Sequence, residues 1–186
     1  MLFDTQIEKL LVEIGFDRMT MEQKNELITM LARREGTVLS QITDEYILNH
    51  HKKLKSEMLS EICDEAIIKG FKSTNGHTYR MKNEDQINFI GQAHELIFFD
   101  KDTQVVPWLT EDVDYIEHSR DEWLNNVYRE AFIHKKTQLF KYSERKKKIS
   151  SATTHAEIVL ITWNEPPKKE EPKVTVPTTD GVTQST

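Results

Sequence analysis

LKSEMLSEICDEAI, residues 54–67, is the stretch of sequence that decides the fold. Its apolar residues recur every four positions, and a second apolar row lies beside the first: Leu54, Met58, Ile62 and Ala66, with Leu59, Cys63 and Ile67. This spacing predicts one long helix, from about residue 38 to about residue 69, with a wide apolar stripe. A lone helix of this length would leave the stripe in water, so we expect it to pack on other helices or on another chain. Strict heptads do not persist along this helix, so the sequence does not establish a long coiled coil, which stays open as one way of packing.

Upstream of this helix, apolar spacing predicts a short helical hairpin over residues 4–35. Its two runs carry apolar residues at intervals of one, three and four: Ile7, Leu10, Leu11 and Ile14, then Leu27, Ile28 and Leu31. Between the runs, Thr20 and Gln23 have the spacing of a capping box, in which each side chain accepts a hydrogen bond from the backbone amide of the other. Gly15 and Gly36 follow the runs, as helix-ending glycines commonly do. We therefore predict a helical arm over residues 1–72, made of this hairpin and the long helix.

Downstream of the loop at residues 73–76, the signals change to a mixture of short strands and helices. Strands are predicted at residues 77–81, 104–108 and 115–118, and Pro107 restricts its strand to a sheet edge or a bulge. Capping residues predict helix starts at three places: Asn83, Ser119 (with Glu122) and Thr154 (with Glu157). These starts begin a helix to about residue 97, a long helix to about residue 149 and a last short helix that ends at Trp163.

Together these elements predict an α+β fold that is predominantly α, with long helices and a small two- or three-stranded antiparallel sheet. The sheet and its helices form a module over residues 77–163. Trp108, Trp123 and Trp163 are its predicted core anchors, because large aromatic side chains supply much of the buried area in a small core. Residues 164–186 hold four of the five prolines and no aromatic residue, which predicts an extended tail or linker.

Composition and charge argue against several classes of protein. The chain has 186 residues and a net charge of −6, so it lacks the broad positive field that attracts phosphate backbones, and nucleic acid is a poor first guess as a partner. No apolar run is long enough to cross a membrane, and the first residues lack the basic and apolar regions of a secretory signal. The single cysteine, Cys63, forms neither an internal disulfide nor a thiolate metal site and is predicted to be buried. No cofactor is expected.

Glu111, Asp112 and Asp114 are the best candidates for a metal site. Several carboxylates on a flexible loop are what Ca²⁺ prefers. However, the glycine and the distal glutamate of a helix-loop-helix calcium site are missing, and aspartate is common in turns. A solvated hairpin turn is therefore the favoured interpretation, with a calcium site as the alternative.

The remaining polar residues predict no catalytic site, so we expect a protein that is not an enzyme. Ser119 and Glu122 are better explained as a helix start than as a nucleophile and its base. The basic run Arg145 to Lys148 lies near a helix end, where it interacts favourably with the helix dipole, and phosphate binding is the alternative. The seven histidines contain no pair at the i, i+4 spacing of a zinc protease motif: His50, His51, His77, His94, His118, His134 and His155.

The order of motifs in the second half is distinctive. It runs through five stretches: Tyr79-Arg80-Met81, Asp85-Gln86-Ile87-Asn88, Val106-Pro107-Trp108, Tyr115 to Trp123, and Ser151-Ala152-Thr153-Thr154 followed by Glu157. With a long helix between the last two, this order resembles an uncharacterised module of tailed-bacteriophage proteins that occurs in tail, baseplate and tail-fibre-associated products. The resemblance covers residues 77–163.

This resemblance implies a structural or adaptor component of a phage particle, in the tail, baseplate, neck or fibre attachment, that acts through protein–protein contacts. Its partners would be other phage structural proteins and further copies of itself in a symmetric assembly. It would be located in the virion and, during assembly, in the host cytoplasm. The family carries no catalytic residues to transfer. Two alternatives stay open: an assembly chaperone that the virion does not retain, and a small nucleic-acid-binding or regulatory protein that uses Arg145 to Lys148.

Overall fold

The apolar stripe of residues 54–67 lies on one 25-residue helix, as its spacing predicts. The computed structural model describes residues 5–164, so the predicted tail, apart from Asn164, lies outside the described residues. The described elements, in chain order, are α1 (Gln6–Ile14), α2 (Met21–Glu35), α3 (Asp44–Ile68), β1 (Phe71–Lys72), β2 (Thr78–Tyr79), α4 (Asn83–His94), β3 (Val105–Leu109), β4 (Tyr115–Ser119), α5 (Arg120–Glu122), α6 (Arg129–Ser151) and α7 (His155–Leu160).

Two of these helices continue through wider, π-helical turns. The end of α4 passes into a π-helical turn at Glu95–Phe99, and α5 joins α6 through a π-helical segment at Trp123–Tyr128. Short 3₁₀ turns at Phe16–Arg18 and Leu39–Gln41 separate the first three helices. The predicted long helix therefore begins six residues later than expected, because the chain makes a turn at residues 39–41 before Thr43 caps α3.

The fold class is confirmed: the chain is predominantly α, with small antiparallel sheets. The strands form two separate pairs. β1 pairs with β2 in the register Phe71↔Tyr79, and β3 pairs with β4 from Val105↔Ser119 to Leu109↔Tyr115. Among the described strands, β3 pairs with β4 alone, so Pro107 lies on an edge strand as predicted, where its missing N–H disrupts no sheet.

An antiparallel pair of helices, α3 and α6, forms the framework of the fold. Side-chain hydrogen bonds join them at both ends and in the middle: Lys52 Nζ to the Ser150 carbonyl (3.3 Å), Ser56 Oγ to Tyr142 Oη (3.3 Å) and His134 Nε2 to the Ala66 carbonyl (3.1 Å). The predicted division between an arm (residues 1–72) and a module (77–163) is therefore not a division in packing, because the second half of α3 lies along α6.

Three apolar cores form along this helix pair. The first, at one end, is built from α1, α2 and the first half of α3. The second, at the other end, is built from β2, α4, β3 and the π-helical segment before α6, and it contains Tyr79, Phe89 and Trp123. A smaller third core lies between them and joins Leu59 of α3, Ile149 of α6 and Ile161 after α7. None of the described helices combines the length and apolar character needed to cross a membrane.

The predicted helix caps have mixed outcomes. Thr20 and Thr154 each form the full capping box with Gln23 and Glu157. Ser119 caps α5, because its hydroxyl accepts a hydrogen bond from the Glu122 amide at 3.1 Å. Within the described residues, the structure shows no return hydrogen bond from the Ser119 amide to the Glu122 carboxylate.

The predicted cap at Asn83 is wrong by one residue. Asn83 is already the first residue of α4, and Lys82 occupies the cap position. The Asp85 carboxylate accepts a hydrogen bond from the Lys82 amide at 3.0 Å, which is the return bond of a capping box, while the Lys82 side chain accepts none. The last helix also ends at Leu160 rather than at Trp163, because the chain becomes extended at Ile161, whose side chain is in the third core.

Gly70 is required by the close approach of two chain segments. It follows α3 with a φ of +81°, and a Cβ at this position would lie 2.0 Å from the Tyr79 carbonyl oxygen. Gly91, in α4, is the opposite case, since a Cβ there would meet nothing within 4 Å. Internal packing thus explains the first glycine but not the second.

We expect Gly70→Ala to lower the free energy of unfolding by several kcal/mol, because backbone atoms must move and a positive φ is strained for alanine. The matched substitution Gly91→Ala should raise it by up to about 1 kcal/mol, through better helix propensity. Urea unfolding followed by circular dichroism measures both. Equal effects of the two substitutions would contradict this assignment.

We expect Thr20→Ala to lower the free energy of unfolding by about 1 kcal/mol, because the Gln23 amide loses its acceptor. Thr137→Ala, at an exposed position inside α6, is the matched control and should cost nothing, since alanine is the better helix former. The same unfolding measurement checks both. A loss at Thr137 as large as the loss at Thr20 would show that the cap is not the cause.

Candidate functional site

The predicted acidic turn holds the two strand pairs together. The Asp112 carboxylate accepts a hydrogen bond from the Thr78 amide (2.9 Å) and lies 3.0 Å from His77 Nδ1, while the Glu111 amide donates to the Thr78 carbonyl (2.8 Å). The hydrogen bond from the Thr78 amide holds the pKa of Asp112 below its ordinary value. Asp114 adopts a φ of +108° at the turn itself. Within residues 5–164, no group of three or more histidine, cysteine or acidic side chains is placed to hold a metal ion.

The three tryptophans lie in two different cores. Trp123 is fully buried in the second core, with Trp108 at 5.0 Å and Phe89 at 6.0 Å between ring centroids. Trp163 packs instead against the third core, and Lys141 Nζ lies 4.5 Å from the centre of its ring. Trp108 and Trp123 therefore anchor the module, whereas Trp163 packs at the middle of the helix pair.

Two buried histidines, His51 and His155, are in direct contact between α3 and α7. Their Nδ1 atoms are 2.9 Å apart and their rings are stacked at 5.2 Å. At this distance one nitrogen donates and the other accepts, so the two rings carry complementary tautomers. His51 Nε2 is buried without a hydrogen-bond partner. The two residues are 104 positions apart, so no spacing motif in the sequence predicts the contact.

Burial keeps these two histidines neutral. It lowers the pKa of His51 to about 3, with smaller contributions from the nearby charges of His155 and Lys55. It also lowers the pKa of His155, although Asp17 and Asp44 act in the opposite direction. Lys55 is buried beside them, its Nζ 3.4 Å from the Val159 carbonyl, and burial lowers its pKa as well. This cluster links the start of α3 to α7.

A second buried polar cluster joins α1, α2 and α3. Glu8 is buried, and its Oε1 accepts from Arg34 Nη1 at 2.7 Å and from His50 Nε2 at 2.9 Å. Burial alone would raise the pKa of Glu8, but the hydrogen bonds from Arg34 and His50 outweigh it, and the pKa lies below its ordinary value. A buried carboxylate with two such partners fixes how three helices meet.

A third polar cluster lies in the second core. It contains a tyrosine hydroxyl, a histidine ring and a glutamate carboxylate in the order in which a proton relay would have them. Tyr79 Oη lies 3.2 Å from His118 Nε2 and accepts from Asn75 Nδ2 at 2.8 Å, while His118 Nδ1 is 3.3 Å from Glu122 without good hydrogen-bond geometry. Burial raises the pKa of Tyr79. Tyr79 and His118 are both buried, so no substrate reaches their reactive atoms. The cluster connects β2 to β4 inside the core.

The basic run near the end of α6 does not form one exposed face. Arg145 is buried, and its Nε donates to the Thr162 carbonyl at 3.0 Å. Its guanidinium therefore fixes the chain after α7 and is not available to phosphate. Lys146 and Lys147 are exposed, and Lys148 is half-buried.

A groove of about 760 Å³ runs between α4 and the strand pair β3–β4. Its apolar walls come from Ile87 and the bare backbone of Gly91 on one side, and from Pro107, Trp108, Leu109 and Tyr115 on the other. Arg80 lies at its rim, 3.6 Å from the carboxylates of both Asp85 and Glu111. Lys82, Glu84, Asn88 and Gln92 also line the groove, so one part of its lining is apolar and the rest is polar or charged.

An exposed aromatic cluster lies one turn beyond Gly91. The His94 ring lies 4.9 Å from that of Phe98 and 5.3 Å from that of Phe99, and the two phenylalanines are 64% and 76% exposed. They lie on the π-helical turn, where the Asp100 amide bonds to the Glu95 carbonyl at 2.9 Å. The sequence signal for this surface is the run of residues 87–99, whose apolar residues occupy more than one side of a helix.

Most of these features lie in residues that match a protein family. The model of a domain of unknown function, DUF4376, matches residues 50–162, more than half of the chain. The chain belongs to this family. No curated protein and no solved structure matches it significantly. The DUF4376 region begins inside α3 and ends just after α7, so it includes the groove and the aromatic cluster but not α1 and α2.

We expect stability to fall between pH 7 and pH 5 because of the His51–His155 pair. The unfolded histidine titrates near pH 6.5 and the folded His51 only near pH 3, so the unfolded state binds more protons below pH 6.5 and is favoured there. His51 alone accounts for roughly 2 kcal/mol over this interval.

Urea unfolding at pH 7, 6 and 5 measures this dependence. A variant with both His51→Leu and His155→Leu should show a smaller change in the free energy of unfolding with pH. The control Thr137→Ala, at an exposed position of α6, leaves both histidines in place and should keep the wild-type dependence. An unchanged dependence in the double variant would refute the assignment.

Proposed function

We propose that this protein is a structural or adaptor component of a tailed-bacteriophage particle, and not an enzyme, and that it acts through protein–protein contacts. The observation that carries the proposal is the exposure of large apolar side chains on the outside of the DUF4376 region. The likeness of residues 77–163 to modules of tail, baseplate and tail-fibre-associated proteins indicates the kind of assembly.

One exposed apolar surface lies on α6. We call it the α6 face, and it consists of four side chains, each between 45% and 61% exposed: Phe132, Ile133, Leu139 and Phe140. Lys136 lies between the two phenylalanines, with Nζ 5.4 Å from the Phe140 ring. A protein that stays monomeric rarely exposes apolar patches larger than a few hundred Å², and such patches commonly mark contacts with other proteins.

The polar residues that suggest other functions have internal partners. Ser119 caps a helix, Asp112 joins two strand pairs, and Tyr79 with His118 is enclosed in a core. Nucleic-acid binding through Arg145 to Lys148 is disfavoured because Arg145 is buried and the chain carries a net charge of −6. Protein contacts therefore account best for the surface that the chain exposes.

Mass spectrometry of purified particles tests the proposal. We expect the protein in finished particles in several copies, together with other structural proteins, and in the host cytoplasm while assembly proceeds. Antibody labelling of intact particles then shows which part contains it. Presence in infected lysate with absence from finished particles would overturn the proposal in favour of an assembly chaperone.

We expect the double substitution Phe132→Ser and Phe140→Ser to reduce incorporation into particles, because the α6 face loses its two largest apolar side chains. The melting temperature should change little, since both side chains are exposed. Met21→Ser, at an exposed position of α2 outside the DUF4376 region, is the control and should leave incorporation unchanged. Normal incorporation of the double variant would exclude the α6 face as a contact surface.

A further inference from the structure

Helix α4 and its π-helical turn carry apolar residues on two sides, and only one side is covered. Phe89, Ala93 and Leu96 are buried in the second core. On the outer side, Ile87, Ile90 and Ile97 are 69%, 63% and 46% exposed, and the aromatic cluster of His94, Phe98 and Phe99 continues the same surface. The outer side therefore lacks a partner in the described chain.

Gly91 lies at the centre of this outer side. A glycine inside a helix costs up to about 1 kcal/mol relative to alanine, and here no neighbour among residues 5–164 requires it, since a Cβ would meet nothing there within 4 Å. Glycine does, however, let another chain approach the helix backbone closely. The position is thus explained by something that packs over Gly91 from outside.

The two complementary features of this surface lie on the same helix. The groove flanks the first half of α4, where Ile87 and Gly91 form one wall. The aromatic cluster projects from the end of α4 and its π-helical turn. When a projection and a recess lie on one surface, a two-fold axis between them brings each projection into the recess of the other copy.

We propose that two copies of this chain pair through antiparallel α4 helices, with the aromatic cluster of each copy inserted into the groove of the other. A two-fold axis midway between Gly91 and His94 places these two residues opposite each other and places Ile87 opposite Phe98. His94 then meets the bare backbone of Gly91, and Phe98 meets Ile87 at the wall of the groove. The pairing rests on the proposed function insofar as it names one of the partners of a multi-copy structural protein.

Charge and direction favour this arrangement over other pairings. The antiparallel pair brings Glu84, at the start of one α4, towards Lys101, just beyond the end of the other. A parallel pair would instead set the aromatic clusters against each other and leave both grooves empty. The groove lining also includes the charged residues Lys82 and Glu84 and the amides Asn88 and Gln92, and the inserted side chains of Phe98 and Phe99 carry no charge.

The apolar area available is sufficient for a stable contact. Each copy contributes three exposed isoleucines, two phenylalanines and Tyr115 at the groove wall. Aromatic side chains bury roughly 150–250 Å² each when they are fully covered. Contributions from both copies therefore reach the roughly 1,000 Å² in total that a specific interface requires.

Sedimentation equilibrium of the full chain across a range of concentrations tests the pairing. We expect a monomer–dimer equilibrium in the wild type. Gly91→Leu, which fills the groove from inside, and the double substitution Phe98→Ser with Phe99→Ser, which removes the projection, should each weaken dimerisation by more than roughly tenfold. Phe132→Ser with Phe140→Ser is the matched control on the α6 face and should dimerise like the wild type. Circular dichroism and thermal melting verify that every variant is folded.

Mixing the two defective variants gives the sharpest test. A mixed dimer retains one intact contact, because the phenylalanines of the Gly91→Leu chain meet the open groove of the Phe98→Ser, Phe99→Ser chain. The second contact then has neither projection nor recess and produces no clash. We expect the mixture to dimerise more tightly than either variant alone. A mixture that stays as monomeric as its components, or a wild type that stays monomeric at all concentrations, overturns the pairing.

The outcomes distinguish this inference from the proposed function. A monomeric protein that is found in finished particles would refute the pairing and leave the virion proposal standing. A dimer that is absent from particles would support the pairing and refute the virion proposal. Dimerisation that is lost in the α6-face control but kept in the Gly91→Leu variant would assign self-association to α6 instead and reject the α4 surface.

Discussion

The antiparallel packing of α3 against α6 is the constraint on which the rest of the structure depends. These two helices are far apart in sequence, and the segment between residues 69 and 128 must therefore form a connection that starts and ends at the same end of the pair. That connection is the second core. The first core and α7 occupy the opposite end, where α3 begins and α6 ends. Ile149 and Leu59, both buried, join the helices between the two ends.

Buried polar contacts add specificity where apolar packing is least selective. Helices with wide apolar stripes tolerate several registers, whereas Glu8 with Arg34 and His50 has only one arrangement that leaves no buried charge unpaired. The stacked pair of His51 and His155 does the same for α7, at the cost of one unsatisfied nitrogen. These two contacts lie at the first end of the helix pair. At the other end, aromatic packing around Trp123 is combined with the buried contact between Tyr79 and His118.

The inside and the outside of the DUF4376 region also differ in the kinds of residue that they carry. Most polar residues that resemble catalytic groups lie inside, as caps, clamps or buried pairs, and the outside of the DUF4376 region displays phenylalanine and isoleucine on α4 and α6. Exposed apolar patches of this kind commonly mark contacts with other proteins. The proposed structural role uses two such faces, on different helices, to contact more than one neighbour.

Much of the local structure follows from sequence alone, because it depends on neighbours within four residues. The repeat in residues 54–67 determines a long helix, Thr20 and Thr154 determine where helices begin, and Pro107 determines that its strand lies at an edge. The errors at Asn83 and at the end of α7 have different origins. At Asn83 the cap position shifts to Lys82, whose amide bonds to the Asp85 carboxylate three residues away. At the end of α7 a distant group, the third core, fixes where the helix stops.

Only the tertiary structure decides which residues meet across long separations. His51 meets His155, Tyr79 meets His118, and Arg145 meets the Thr162 carbonyl through the packing of separate helices and strands, and no spacing rule in the sequence encodes these contacts. The candidate surface on α4 is of the same kind. The sequence shows that residues 87–99 are apolar, but burial of Phe89 and Leu96 in the second core is what leaves Ile87, Phe98 and Phe99 outside. Composition sets how much apolar area a helix carries, and packing alone sets which part of it stays exposed.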